Sequence, residues 1–303
     1  MKEMKDVRVD MFRIVGDFAP MIQVNYKDKN AEDHTGLLIF DSGSNENILI
    51  SDIANRLGEC KIEDKTGSIF TINGDSQPLE YLNFAFAFGG QQFNEVFGTG
   101  NVLFPNVAGE LKIIGILGIS FMQQYKLVID YSNFTIHSSD VRPDNLSIED
   151  CDFFVPMAIG LKYYDMPLLF MYQNGKEIMA LADTGASSNV LASQTISDND
   201  FDCKFTEGID TIVGLAGDVD MREAMVNFQL LTLKGNDVGT MSYQDLFKVS
   251  PNYVYTPEEG QCDDKGNQLP SIEAIICSPF MAKQGWVLDF GARVIYKRRK
   301  EVQ

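Results

Sequence analysis

Histidine is the scarcest chemically useful residue in this chain of 303: only His34 and His137 occur. A histidine-rich metal site is therefore excluded, and a Ser-His-Asp or Cys-His mechanism would have only those two residues to draw on. Basic residues are also few, with 25 Lys and Arg against 43 Asp and Glu and a formal charge of −18. Nucleic-acid binding needs Lys and Arg to displace counterions, and anionic membranes attract cationic segments, so neither partner is expected. The five cysteines, at 60, 151, 203, 262 and 277, form no Cys-x-x-Cys pair and no zinc-ligand spacing. Their odd number and wide separation predict free thiols in a reducing compartment. Long apolar runs are missing too: Ile113–Ile119 is far too short to span a bilayer, and Met1–Val24 has no apolar core of the kind a secretory leader carries. The chain is expected to be soluble and, as written, cytoplasmic, or periplasmic or secreted if a leader has been removed. No metal and no cofactor is implied. Carboxylate chemistry is the large class left standing.

What is present is ample core material. Apolar residues make up 45% of the sequence, which rules out disorder, and the length suits one large domain or two ordinary ones. An internal repeat decides between them. Leu37-Leu38-Ile39-Phe40-Asp41-Ser42-Gly43-Ser44, running into Asn47-Ile48-Leu49, superposes without a gap on Met179-Ala180-Leu181-Ala182-Asp183-Thr184-Gly185-Ala186, running into Asn189-Val190-Leu191, at an offset of 142. Downstream, residues 113–137 align with 272–296 at an offset of 159, with seven identities in 25 positions. Unrelated segments would share about one or two. Gly74-Asp75 and Gly217-Asp218 follow the two Asp residues by 33 and 34 positions. The drift in offset marks loop-length changes: a longer hairpin loop at Lys27–His34 in the first half, and an insertion at Asn252–Pro270 in the second, rich in turn-forming residues.

The polar, turn-rich stretch Ser138–Asp152 reads as the seam, dividing the chain into lobes at 1–140 and 152–303 with a linker over 141–151. Most of each half alternates as strands do. Tyr81–Phe88 before Gly89-Gly90 predicts a strand entering a hairpin turn, and Met225–Leu233 before Lys234-Gly235-Asn236 is its counterpart. Short helices are expected at Ile50–Leu57, Ile119–Gln124 and Tyr243–Phe247. The expected fold class is mainly β and bilobal, with two homologous lobes related by a pseudo-two-fold axis.

Asp41 and Asp183 each end an apolar run and precede a hydroxyl residue, a glycine and a small residue. The glycine permits a tight turn and the hydroxyl can fix it by bonding neighbouring backbone, so a carboxylate is presented on a rigid loop. A single Asp-[Ser/Thr]-Gly is a surface turn that arises by chance in about one chain in seven of this length. Two copies in register with a second repeated motif are not a turn signal. A pseudo-two-fold axis brings the two loops face to face. Two carboxylates in contact share a proton, so one serves as base toward a water while the other donates to a carbonyl.

On these residues the chain resembles the aspartic peptidases of the pepsin and retropepsin superfamily. The apolar-apolar-Asp-[Ser/Thr]-Gly-[Ser/Ala] signature falls at 41–44 and 183–186, and the Ile116-Leu117-Gly118 run is similar to the family's ψ-shaped loop. The Gly115–Tyr131 segment is most similar to bacterial retropepsin-like aspartyl proteases. The resemblance implies the bilobal acid-protease fold, with Asp41 and Asp183 as the catalytic dyad. It also implies that Ser42 and Thr184 lock the loops together, that Gly43 and Gly185 shape the turns, and that Ser44 and Ala186 pack beside the carboxylates. Gly74, Asp75, Gly217 and Asp218 then lie on flap hairpins that close over substrate. In the ψ-loops Gly115 and Gly118 are matched by Ala274 and Cys277 in the second half, a departure that predicts a second loop either distorted or differently packed. The expected partner is a peptide or protein substrate bound to a monomer. The rival readings are a non-hydrolytic peptide-binding module, and lobes that pair with those of another chain.

Other residues have plainer readings. Cys277 is expected to pack as a small apolar residue, Lys297–Lys300 to be a solvated tail, and Asp130 and Asp289 to cap turns.

Overall fold

Apolar runs that would be unremarkable singly become the central strands of two closed barrels. A computed structural model describes residues 7–14, 17–58, 61–70, 76–100, 111–139, 147–157, 166–199, 201–214, 217–234, 237–257, 262 and 266–299. The first half contains β1 (Arg8–Asp10), β2 (Phe12–Ile14), β3 (Asp17–Lys27), β4 (Asp33–Asp41), β5 (Ile48–Ile50) and α1 (Ser51–Leu57). It continues with β6 (Gly67–Phe70), β7 (Ser76–Phe88), β8 (Gln91–Gly100), β9 (Ile113–Gly118), α2 (Ile119–Gln124), β10 (Leu127–Asp130) and β11 (Thr135–Ser138). A 3₁₀ turn at Ile148–Asp150 leads into the second half: β12 (Cys151–Pro156), β13 (Leu168–Gln173), β14 (Lys176–Asp183), β15 (Asn189–Ala192) and α3 (Ser193–Asn199). There follow β16 (Cys203–Gly214), β17 (Gly217–Lys234), β18 (Asp237–Ser250), β19 (Ala274–Cys277), α4 (Ser278–Gln284), β20 (Val287–Asp289) and β21 (Val294–Arg298).

In the first lobe β3, β4, β9, β5, β8 and β7 pair in that order and β7 returns to β3, closing a six-stranded barrel with β2 and β6 at its margins. In the second, β13, β14, β19, β15, β18 and β17 close in the same way through β13 and β17, with β16 added beyond β17. A third sheet joins the lobes in the order β1-β11-β10-β20-β21-β12, three strands from each half. Its centre is the antiparallel pair β10 and β20, with Ile129 opposite Leu288, so the pseudo-two-fold axis passes between them.

The burial follows from these positions. Leu37 to Phe40 are all buried because β4 is covered on both faces, whereas β7 alternates buried Leu82, Phe84 and Phe86 with exposed Asn83 and Ala85. Gly89 and Gly90 take φ of 56° and 76°, the two positive values a tight hairpin turn requires. Aromatic rings fill both barrels: Phe84 meets Phe97 edge-on at 5.2 Å in the first, and Phe228 meets Phe247 at 5.4 Å in the second. Trp286, wholly buried, stacks on Phe153 at 4.8 Å. The largest apolar cluster runs through both lobes, and each lobe adds a smaller one of its own, around Leu37 and Ile39 in the first and around Leu168 and Leu181 in the second.

Several expectations need revision. Tyr243–Phe247 is not a helix but the middle of β18, paired with β17 through Tyr243 opposite Phe228 and with β15 through Phe247 opposite Asn189. Pairing on both sides overrides the local pattern. The helices α3 and α4 went unread, although α4 is the repeat partner of α2. Part of the seam, 140–146, lies outside the described residues, and its end is the 3₁₀ turn and the first residue of β12. The basic run at 297 begins inside β21, so it is not a free tail. The unequal hairpins are as expected: residues 28–32 link β3 to β4, while Asn174-Gly175 alone links β13 to β14. Among the described residues Cys151, Cys203, Cys262 and Cys277 are free thiols, and no helix is long and apolar enough to cross a membrane.

Candidate functional site

Each repeated Asp is carried to the same place by the same construction. β4 ends at Asp41 and runs parallel to β9, with Asp41 opposite Gly118; β14 ends at Asp183 and runs parallel to β19, with Asp183 opposite Cys277. β5 and β15 then pair antiparallel to the far side of β9 and β19. The chain leaving each Asp must therefore turn around the end of the third strand, which holds the loop tightly.

The loops grip one another through their hydroxyls. Thr184 Oγ1 accepts from the Ser42 N–H at 3.0 Å and donates to the Phe40 carbonyl at 2.6 Å. Ser42 Oγ accepts from the Thr184 N–H at 3.0 Å and donates to the Ala182 carbonyl at 2.7 Å. Both side chains are fully buried, so all four groups depend on these bonds. Within each loop the glycine N–H binds the preceding carboxylate, Gly43 to Asp41 Oδ1 at 2.9 Å and Gly185 to Asp183 Oδ1 at 2.8 Å.

The glycines also set the approach of the carboxyls. A Cβ on Gly43 would stand 2.5 Å from Asp183 Oδ2, and one on Gly185 would stand 2.4 Å from Asp41 Cγ. No side chain fits at either position, so each carboxyl lies directly over the opposite loop. The two carboxyls are close enough for each to bear on the ionisation of the other. They are half-buried. Burial raises both above the ordinary carboxylate range. For Asp41 the neighbouring Asp183 carboxyl raises it further, well above that range. For Asp183 the N–H groups of Gly185, Ala186 and Gly43 and the Asp41 carboxyl offset part of the rise. Two carboxyls so placed cannot both ionise cheaply, which favours a state in which the pair keeps a proton.

The supporting residues are matched pair by pair. Ser44 Oγ donates to the Glu46 carbonyl at 2.8 Å, while the Ser44 and Ala186 carbonyls accept from Ile119 and Ser278, the first residues of α2 and α4, at 2.8 and 3.1 Å. Two functional positions were not singled out from sequence. Asn47 Oδ1 accepts the Gly118 N–H and Asn189 Oδ1 accepts the Cys277 N–H, each at 2.9 Å, while their amides donate to Val96 and Leu246 carbonyls. Their recurrence in the aligned repeat was the available signal.

Of the two expectations for the second loop, different packing is what the structure shows, and the backbone is not distorted at Cys277. Gly118 has φ −76° and ψ 176°, Cys277 φ −85° and ψ 165°, an extended conformation open to any residue. A Cβ on Gly118 would lie 2.6 Å from the Glu46 carbonyl oxygen and one on Gly115 would lie 2.2 Å from that of Ile48, so the first lobe packs more closely than the second, where Ala274 and Cys277 are accommodated and buried. Burial pushes the Cys277 thiol up to about 12, leaving it protonated and unreactive.

Of the hairpin residues, Gly74 and Asp75 lie outside the described residues. Gly217 and Asp218 begin β17, opposite Gly214 and Val213, at the end of a hairpin that extends through twelve residues of β16. Asp130 and Asp289 cap turns as expected: Asp130 accepts from the Ser132 and Asn133 N–H groups at 2.8 and 3.0 Å, and Asp289 from Ala292 at 2.7 Å. His137 is buried in β11 with Nδ1 2.9 Å from the Ser138 carbonyl, and His34 stacks on Tyr26. Asp28, Glu32 and His34 have ligand atoms within 4.8 Å of one another and are the described residues that could hold a metal ion, although Asp28 Oδ1 already accepts the Asn30 and Glu32 N–H groups.

No protein-family model matches the chain, and no curated protein matches it.

Proposed function

We propose that the chain is an aspartic endopeptidase of the pepsin and retropepsin type, cutting a peptide bound between its lobes. The observation that carries this reading is the reciprocal hydroxyl grip that sets the Asp41 and Asp183 carboxyls against each other's loops. In the singly ionised state Asp183 takes a proton from water as the water oxygen adds to the scissile carbonyl carbon, while the proton on Asp41 passes to the carbonyl oxygen. The tetrahedral diol collapses as Asp183 gives its proton to the amide nitrogen, Asp41 takes one back from a diol hydroxyl and the C–N bond breaks, releasing acid and amine. The dyad returns to its starting state. The substrate backbone adds as a strand against the hairpin edges.

Both carboxylates come from one chain and both halves of the grip are intrachain bonds, which supports a monomeric enzyme. The alternative of a non-hydrolytic peptide-binding module rests on Cys277 and on the unfamiliar flaps; Cys277 keeps the N–H bond and backbone angles of its partner Gly118, while Gly74 and Asp75 of the first flap lie outside the described residues.

The test is a mixed peptide library incubated with the chain and followed by mass spectrometry. Cleavage is expected from the native chain and should fall by about a thousandfold in Asp41→Asn and in Asp183→Asn. Cleavage that survives both substitutions would refute the assignment.

A further inference from the structure

Ser187 and Ser188, which continue the Asp183 loop, form one wall of a cavity of about 310 Å3 in the second lobe. That volume is at the small end of the ligand-pocket range and suits one side chain better than a whole ligand. Its other walls include Glu223 of β17, Asp245 and Lys248 of β18, and Lys283 of α4, with Cys277, the strand partner of Asp183, alongside. Glu223 stands at the base of the hairpin that ends at Gly214 and Gly217. A peptide lying between that hairpin and the Asp183 loop passes over this opening.

The charges in the pocket are not equally committed. Lys248, with 6% of its side chain exposed, holds Glu223 at 2.7 Å. Asp245 turns Oδ1 to the N–H of Leu246 at 2.9 Å, and its Oδ2 faces Lys283 at 3.8 Å. Lys283 is 64% exposed. A long, solvated ion pair of that kind contributes little, so an arriving cation displaces it readily. The same pair would yield Lys283 to an anion, so the choice between the two rests on the field of the whole molecule. The net charge of −18 draws cationic peptides toward the molecule as a whole.

The matching position in the first lobe is closed. Gly98 opposite Ile48 corresponds to Lys248 opposite Val190, so Tyr81, opposite Gly98, corresponds to Glu223. Tyr81 is buried there with Lys65 4.1 Å from its ring, and Lys65 is in turn paired with Glu46 at 3.3 Å. Glu95, the counterpart of Asp245, is held by the Tyr125 hydroxyl. One of two equivalent pockets is thus filled by its own chain and the other is open.

Resting on the peptidase reading above, we propose that the open pocket receives an Arg or Lys side chain of the substrate, with Asp245 as the recognising carboxylate. The test has two arms. In the first, peptide-library cleavage is profiled for the native chain, Asp245→Asn, Lys283→Ala and Glu95→Gln. Basic residues should be enriched at one fixed distance from the scissile bond, with that enrichment lost in Asp245→Asn, retained in Lys283→Ala and unaffected by Glu95→Gln. In the second, labelled decapeptides carrying Arg or the neutral citrulline at each position in turn are titrated into Asp183→Asn protein by fluorescence anisotropy. At one position Arg should bind about tenfold or more tightly than citrulline, the size of a charge-assisted hydrogen bond, and Asp245→Asn should abolish the difference. Circular dichroism establishes that each variant is folded. Dyad-dependent cleavage without a basic preference, or a preference that survives in folded Asp245→Asn, overturns the pocket assignment, as does binding with no Arg–citrulline difference. Absence of cleavage together with an Arg preference that depends on Asp245 would instead overturn the peptidase reading and leave the pocket in place.

Discussion

Opposite Gly98 in the first lobe stands Tyr81; at the matching place in the second lobe, opposite Lys248, stands Glu223. The same pair of positions therefore holds a buried aromatic ring in one lobe and a buried ion pair in the other. Nearer the axis the lobes scarcely differ. Ser42 and Thr184 exchange equivalent bonds, and Asn47 and Asn189 each accept an N–H at 2.9 Å. Symmetry is kept where each loop is part of the other's support, because a change on one side leaves a buried group unpaired on the other. Farther out no such reciprocity acts, and one barrel has filled a pocket that its partner leaves open. A substrate strand has a direction and unlike side chains at its two ends, so an asymmetric surround suits it.

The sharpest way to break the symmetric part is to add a methyl group at the contact. Gly43→Ala and Gly185→Ala would each force a carbon to within 2.5 Å of the opposite carboxyl. Both should lower kcat/KM by about ten-thousandfold through misplacement and loss of the shared proton, and by similar amounts; peptide hydrolysis assays measure this. Tyr81→Ala should cost about 3–5 kcal/mol in urea unfolding, since it empties a filled site. Removing the grip, by Ser42→Ala or Thr184→Val, should cost about 2–4 kcal/mol each in the same measurement. Unequal losses would show that the two halves are not equivalent. Cys277→Gly should shift stability by only about 1 kcal/mol, because the backbone there already suits either residue. The smallest effect is on the pH dependence of stability. Both carboxyls are raised in the folded chain, so the folded state binds more protons than the unfolded one from the ordinary carboxylate range up to the raised values. Stability from this pair falls as pH rises through that window. Asp41→Asn should flatten that part of the profile, read as melting temperature against pH.

Much of the central part was legible because its signals are local and doubled. The apolar run, the Asp, the hydroxyl and the glycine are contiguous in both halves, and the repeat turned two weak turn signals into one strong expectation. The grip was foreseen only through resemblance, since nothing local says which carbonyl Thr184 will meet across 144 residues. Tyr243–Phe247 was misread because a five-residue window does not reveal that strands lie on both sides of it. The open pocket was invisible for the same reason. It exists because Glu223, Asp245 and Lys283, far apart in the chain, are brought together by strand register and by the placement of α4.

The most direct test of the proton-sharing pair is a carbon-13 NMR titration of the aspartate carboxyls in the native chain, repeated in Asp41→Asn and Asp183→Asn. One proton should be retained by two coupled resonances well above the ordinary carboxylate range, and each substitution should remove that behaviour from the surviving partner. Two aspartates that titrate independently within the ordinary range would contradict the account.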